Sequence, residues 1–118
     1  MRILVTGGRG YSDKTRVFEV LDRYRDKFGV DLVIQGGATG ADALAKYWAD
    51  ARDIPCLRVP ALWRKLGDAA GPERNRRMLA LGRPDKVIAF AGGAGTRNMV
   101  ELARAEGIEV FEIPERRP

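Results

Sequence analysis

Histidine is absent from the 118-residue chain, and cysteine occurs once, at Cys56. The chain therefore lacks the nitrogen and sulfur ligands that hold zinc and other transition metals, so no metal site is expected. Without histidine there is also no usual base for a hydroxyl nucleophile, which argues against a catalytic triad built on Ser12. A lone cysteine closes no internal disulfide, which fits a reducing, cytoplasmic setting. In Cys56 itself we read a small core residue of a strand. No apolar run approaches the ~18 residues of a membrane span. The apolar part of the N-terminal MRILVTGG is too short for a signal peptide and reads as a first strand, so no membrane partner is expected. Aromatic residues make up 8% of the chain, which limits the rings on which bases could stack. Internal repeats, low-complexity tracts and linkers are lacking too.

What remains is a chain of one-domain size, residues 1–118, with 45% hydrophobic and 31% charged residues. The net charge of +5 suits an anionic partner such as a nucleotide or nucleic acid. The basic residues are spread along the chain rather than gathered in one run, so a mildly basic solvated surface accounts for them as well.

Short apolar runs rich in Val and Ile alternate with helical patterns. The runs are ILVT (3–6), DLVIQ (31–35), CLRVP (56–60), KVIAF (86–90) and EVFEI (109–113). Residues 13–28 place Val17, Val20, Leu21, Tyr24 and Phe28 on one helical face, and residues 40–52 do so with Ala41, Leu44, Ala45, Trp48 and Ala49. A third helix over 72–82 opens with Pro72 in its first turn, and a fourth over 96–106 gathers Met99, Leu102 and Ala103. Strands alternating with helices predict an α/β fold: a single Rossmann-like, doubly wound parallel sheet of about five strands with helices on both faces.

Three strands end in glycine-rich loops that lead into helices: GGRGYSD (7–13), GGATGAD (36–42) and AGGAGT (91–96). A fourth segment, GPERNRRM (71–78), opens the remaining helix with arginines. Glycine lets a backbone come close to a ligand, and a helix N-terminus attracts anions. In such a sheet all four helix starts lie at the carboxyl edge, where ligands bind. A phosphate-bearing ligand is the stronger reading of three such loops. Each has a plainer one: TGAD also fits a capping box, with Thr39 as N-cap and Asp42 at the third helical position. The pattern of a P-loop NTPase is missing. So is the NAD fingerprint, because Asp13 stands at its third glycine and Gln35-Gly36 replaces the ribose-binding acid. No cofactor is expected.

Taken in order, Gly7-Gly8-Arg9-Gly10, GGATGAD, GPERNRRM and GGAGT resemble the SLOG superfamily, in particular its short YspA/YpsA-related branch, over nearly the whole chain. Two relatives imply different functions. The LOG phosphoribohydrolases release a base from nucleoside 5′-monophosphates with an arginine and a glutamate. Arg74 to Met78 and Ala91 to Thr96 resemble their two motifs, which makes Arg74 the candidate catalytic or phosphate-facing arginine. Three residues beyond Thr96, where that family has its glutamate, stands Met99; Glu101 and Asp42 are the other carboxylate candidates. On its helix Glu101 points away from the apolar stripe. The DNA-processing protein A family, which binds single-stranded DNA, is resembled by Arg9, Ser12, Gly37 to Asp42, and Arg74 to Arg76. Trp63, in a predicted loop beside Arg64 and Lys65, either stacks a base or plugs the edge of the core.

The expected site follows. Thr6, Gly7, Gly8 and Arg9 with Gly92, Gly93, Gly95 and Thr96 approach phosphate and ribose. Gly37, Thr39, Gly40 and Asp42 hold the sugar, and Arg74 pairs with phosphate while Asn75 orients it or the base. The ligand is a nucleotide or nucleotide-derived molecule, cleaved at its N-glycosidic bond (by Arg74 with Asp42 or Glu101) or bound without turnover. Nucleic acid is the alternative partner. Dimerisation among SLOG relatives, and an outward Phe18 opposite Val17 and Leu21, point to a homo-oligomer.

Overall fold

The computed structural model describes residues 1–116. The five strands are β1 (Arg2–Thr6), β2 (Leu32–Gln35), β3 (Cys56–Arg58), β4 (Lys86–Ala89) and β5 (Glu109–Glu112). The helices are α1 (Lys14–Phe28), α2 (Ala41–Ala51), a short α3 (Trp63–Leu66), α4 (Ala70–Gly82) and α5 (Ala94–Ala105), with a 3₁₀ turn at Gly67–Ala69 between α3 and α4. Every strand pair is parallel and the order is β3-β2-β1-β4-β5. This is the α/β, Rossmann-like sheet that the alternating pattern predicts.

Alternation along the strands divides the core in two. Ile3, Val5, Val33 and Ile88 pack with Val17 and Leu21 of α1 and Ala45 and Trp48 of α2. Leu4, Ile34 and Val87 face the other way, onto Met78 and Leu79 of α4 and Met99 and Ala103 of α5. Fully burying one such side chain stabilises the fold by about 1.5–3 kcal/mol. Burial on both faces explains why the runs of the central strands β1, β2 and β4 are nearly continuously apolar, whereas the edge strands β3 and β5 carry Arg58, Glu109 and Glu112. The order reverses between β1 and β4, so the loops after these two strands diverge to opposite faces and leave a crevice between them.

Polar groups tie α1 to α2. The indole N–H of the fully buried Trp48 donates to Asp22 Oδ1 at 2.8 Å, and Arg52 donates to both Asp22 oxygens at 2.9 Å. The Arg52 bond is the main cause that lowers the Asp22 pKa, with the Trp48 bond adding to it.

Four sequence expectations change. The N-cap of α2 is Gly40, at φ 75°, with no side-chain cap bond; the Thr39 hydroxyl instead donates to the Arg9 carbonyl at 3.1 Å. The capping box does not form because Gly40 has to turn against the β1 loop, where a Cβ would lie 2.6 Å from the Arg9 carbonyl carbon. Trp63 starts a four-residue helix rather than lying in a loop. The third strand ends at Arg58, two residues early, as Pro60 has no N–H to continue the ladder. Phe18 is no free apolar spot: Tyr47 packs on it with ring centroids 5.9 Å apart, and Lys14 and Arg52 lie over its ring. Cys56 is half-buried on the edge strand β3. No helix among the described residues is long and apolar enough to cross a membrane.

Candidate functional site

The carboxyl edge is built by loops that close on one another. Phe90 N–H donates to the Thr6 carbonyl and Gly8 N–H to the Ala91 carbonyl, both at 2.9 Å, which zips the β1 loop to the β4 loop. Ala41 N–H, at the start of α2, donates to the Gly8 carbonyl at 3.2 Å and brings in the β2 loop. Contact this close requires residues without side chains. A Cβ at Gly92 would lie 2.6 Å from Gly8 N, and one at Gly7 would lie 2.6 Å from the Ala41 Cβ. Gly7, Gly8, Gly40 and Gly92 thus serve the assembly of the edge. Gly93 and Gly95 differ: a Cβ there meets nothing within 4 Å.

Between these loops and the start of α4 lies a cleft of about 530 Å³, within the usual range for small-molecule sites. Its lining includes Thr6, Gly7, Gly8, Arg9, Asp42, Arg74, Asn75, Gly93, Gly95 and Thr96, all expected from the sequence, together with Trp63, Asp68, Pro72 and Asn98. Gly37 and Thr39 line a neighbouring pocket, whereas Gly40 and Gly92 are packed within the edge. Glu101 is exposed and lies outside both pockets, on the outer face of α5.

Arg74 is the central cation of this cleft. Its Nη1 donates to the Gly36 carbonyl at 2.7 Å and its Nε to Asn75 Oδ1 at 3.1 Å. Two of its five N–H groups are used there, and no carboxylate among the described residues forms an ion pair with it. Burial lowers its pKa; Asp42 acts in the opposite direction. Gly36 is the spacer of the arrangement. A Cβ on it would come within 2.7 Å of the Arg74 guanidinium carbon and 3.0 Å of Asp42 Oδ2.

Asp42 and Asn75 are both committed to the protein. Asp42 Oδ2 accepts the N–H groups of Gly36 and Ala38, each at 3.2 Å, and only 6% of the residue is exposed. Burial pushes its carboxyl above the usual carboxylate range, against the two N–H donors and the charges of Arg74 and Arg9. Its role is therefore to shape the β2 loop rather than to cap α2. Gln35 helps, since its Oε1 accepts the Gly37 N–H at 2.6 Å. Asn75 is 2% exposed; its amide donates to the Gly95 carbonyl and to Asn98 Oδ1, at 3.1 and 2.9 Å, while its oxygen takes the Arg74 bond. With both donors engaged, Asn75 pins α5 to α4 and orients Arg74.

The four helix starts are not equivalent. The first is closed by Asp13, which accepts the Arg16 N–H at 3.0 Å. That of α2 is tied to Gly8, and α4 continues from the 3₁₀ turn. At α5 no side chain caps Gly93, and the first helix N–H with an acceptor is that of Arg97, to the Gly93 carbonyl at 3.1 Å. The N–H groups of Ala94, Gly95 and Thr96 are unbonded among the described residues and lie at the cleft, a favourable place for an anion.

Trp63 and Asp68 carried no motif, because the short α3 and the 3₁₀ turn reach the cleft only through the tertiary fold. The one hint was an aromatic beside two basic residues. Trp63 is 48% exposed, and the Arg9 guanidinium carbon lies 5.0 Å from its ring centroid. Met99, at the position of the LOG glutamate, is fully buried in the core beneath α5.

A family model described as the YspA, cpYpsA-related SLOG family matches residues 1–66. Among curated proteins, the chain is similar to the Gene 61 protein of Mycobacterium phage D29, with 36% identity over 121 residues covering 95% of each chain. Among solved structures it resembles DNA processing protein A (DprA) from Streptococcus pneumoniae, with a TM-score of 0.78 and 22% identity. That match covers 98% of the present chain and 50% of the DprA chain, so the present chain spans half of that protein. At this identity the likeness concerns the fold.

Proposed function

This chain belongs to the YspA, cpYpsA-related SLOG family, and we propose that it binds a nucleotide or nucleotide-derived ligand in the cleft at the β1/β4 crevice. The observation that carries this reading is the pairing of Arg74, with spare N–H groups and no ion-paired carboxylate among the described residues, with the uncapped start of α5 at the same cleft. A phosphate placed there receives a guanidinium fork and backbone N–H groups together. Gly93 and Gly95 leave it room, and the Trp63 ring offers a face to a base. Arg74 acts on the ligand; Asn75, Gly36 and Asp42 act through Arg74 and the β2 loop.

Binding without glycosidic cleavage is the form of this reading that the side chains favour. Met99 moves no proton, and Asp42 is anchored in the β2 loop by two backbone N–H groups on its Oδ2. Among the described residues, only Asp68, on the 3₁₀ turn, brings another carboxylate to the cleft lining. It suits a hydroxyl or amino group of the ligand.

The direct test is thermal unfolding with nucleoside 5′-monophosphates, NAD, ADP-ribose and a short single-stranded DNA in parallel. A ligand at about 100 times its Kd adds ~2.7 kcal/mol, which in a domain this size raises Tm by several degrees. We expect a shift with at least one nucleotide and its loss in Arg74→Ala; an unchanged shift in that variant removes Arg74 from the site. Incubation of the bound nucleotide should release no free base above the protein-free control. Base release that disappears in Asp68→Asn overturns the non-catalytic form.

A further inference from the structure

A second pocket of about 310 Å³ adjoins the cleft, and Arg9, Ala38, Trp63 and Arg74 line both. These four residues form the wall between the two spaces. On the far side stand Gly37, Thr39 and Arg58, and no carboxylate among the described residues lines that pocket. The main cleft, in contrast, contains Asp42 and Asp68.

Arg58 leaves the end of β3 at the sheet edge and is exposed. Its side chain lies over Gly37, where a Cβ would meet Arg58 Cγ at 3.2 Å and Cδ at 3.3 Å; the absence of a side chain at Gly37 leaves Arg58 that room. Among the described residues neither Arg58 nor Arg9 pairs with a carboxylate, whereas Arg52, Arg77 and Arg104 do. Arg9 is held in place by its neighbours. Its guanidinium lies 5.0 Å from the Trp63 ring centroid, and its carbonyl accepts the Thr39 hydroxyl. The pocket thus collects like charges with no ion-pair partner among the described residues, beside an exposed indole.

We propose that this pocket is a second phosphate subsite, and that the protein takes a nucleotide carrying two phosphates on opposite sides of its sugar, as in a nucleoside 3′,5′-bisphosphate unit. One phosphate lies at Arg74 and the start of α5, the base packs toward Trp63, and the other phosphate meets Arg58 and Arg9. This rests on the nucleotide reading of the main cleft. The same unit occurs in a free bisphosphate and inside a single strand, and the two sources share this chemistry.

The test measures, by calorimetry, the affinity of the wild type, Arg58→Ala and Arg58→Lys for four nucleoside 5′-monophosphates and the matching 3′,5′-bisphosphates. A 5′-phosphorylated trinucleotide is measured alongside. We expect the second phosphate to tighten wild-type binding by about tenfold, in line with charge-assisted hydrogen bonds. Arg58→Ala should abolish that gain and leave monophosphate affinity unchanged; Arg58→Lys should keep part of it. Arg58 is exposed, and unchanged thermal unfolding of the free variants checks that they are folded. A bisphosphate that gains nothing over the monophosphate, or a gain that survives Arg58→Ala, overturns the subsite while the nucleotide reading stands. If no monophosphate or bisphosphate binds the wild type, the nucleotide reading fails and the subsite falls with it. With the subsite established, a further gain for the trinucleotide assigns the strand as its source, and equal affinity assigns the free bisphosphate.

Discussion

At the residue scale, the glycines of the carboxyl edge separate by what surrounds them. Gly40 has a positive φ and backbone on its open side, whereas Gly93 has free space and a φ of −104°. Gly40→Ala should therefore lose about 1–3 kcal/mol of stability in urea unfolding, from the strained backbone conformation alone. Gly93→Leu should cost less than about 1 kcal/mol and still weaken nucleotide binding more than tenfold. A Gly93→Leu protein that binds as tightly as wild type would take the ligand away from the start of α5. Asp42 makes a pH prediction. Its folded pKa is raised by burial, so its penalty is absent below its unfolded value near 4 and grows as pH rises through the folded value. The stability difference between wild type and Asp42→Asn should fall across that acid window and then level off. A difference that rises with pH contradicts the burial argument.

At the element scale, the helices that flank β1 on one face are locked by Asp22, Trp48 and Arg52. Asp22→Ala leaves a buried indole N–H without its acceptor, which costs about 1–3 kcal/mol. The contribution has the opposite pH sense to that of Asp42. The Asp22 pKa is lowered in the folded state, so its stabilisation is present above the unfolded value and is lost as pH falls through the folded one. Denaturant unfolding of wild type and Asp22→Ala at pH 7 and pH 3 checks this; the gap between them should narrow in acid. The α4–α5 pair is held at the ligand side by Asn75, through Gly95 and Asn98. Its role is positional, so Asn75→Asp should disturb both stability and binding, whereas Arg74→Ala should act mainly on binding.

At the scale of the whole molecule, the net charge of +5 acts through its placement. Acidic partners neutralise Arg52, Arg77 and Arg104, while Arg9, Arg58 and Arg74 converge on the two pockets. A short single strand laid across these three arginines neutralises about three phosphates and should show a log–log salt slope of roughly −2. A slope near zero for such a strand would exclude a three-arginine track.

Period and composition were enough for the five strands, the four long helices and the parallel, doubly wound sheet. Strands buried on both faces, and helices with one apolar stripe, carry that information in adjacent residues. The glycine loops and GPERNRRM also marked the carboxyl edge, because close backbone approach and anion binding depend on local residue types. Which glycine faces protein and which faces space was decided only by the tertiary fold, as it depends on neighbours 30 to 85 residues away. Asn75 likewise needed the fold, since its amide is consumed by α5. Asp42, read as a capping acid, turns back onto Gly36 and Ala38 of its own loop, because Gly40 is bent against the β1 loop and the capping box does not form. Trp63, Asp68 and Arg58 reach the site from a short helix, a 3₁₀ turn and an edge strand. No periodic pattern marks such residues; only the return of the chain from β3 across to β4 places them beside Arg9 and Arg74.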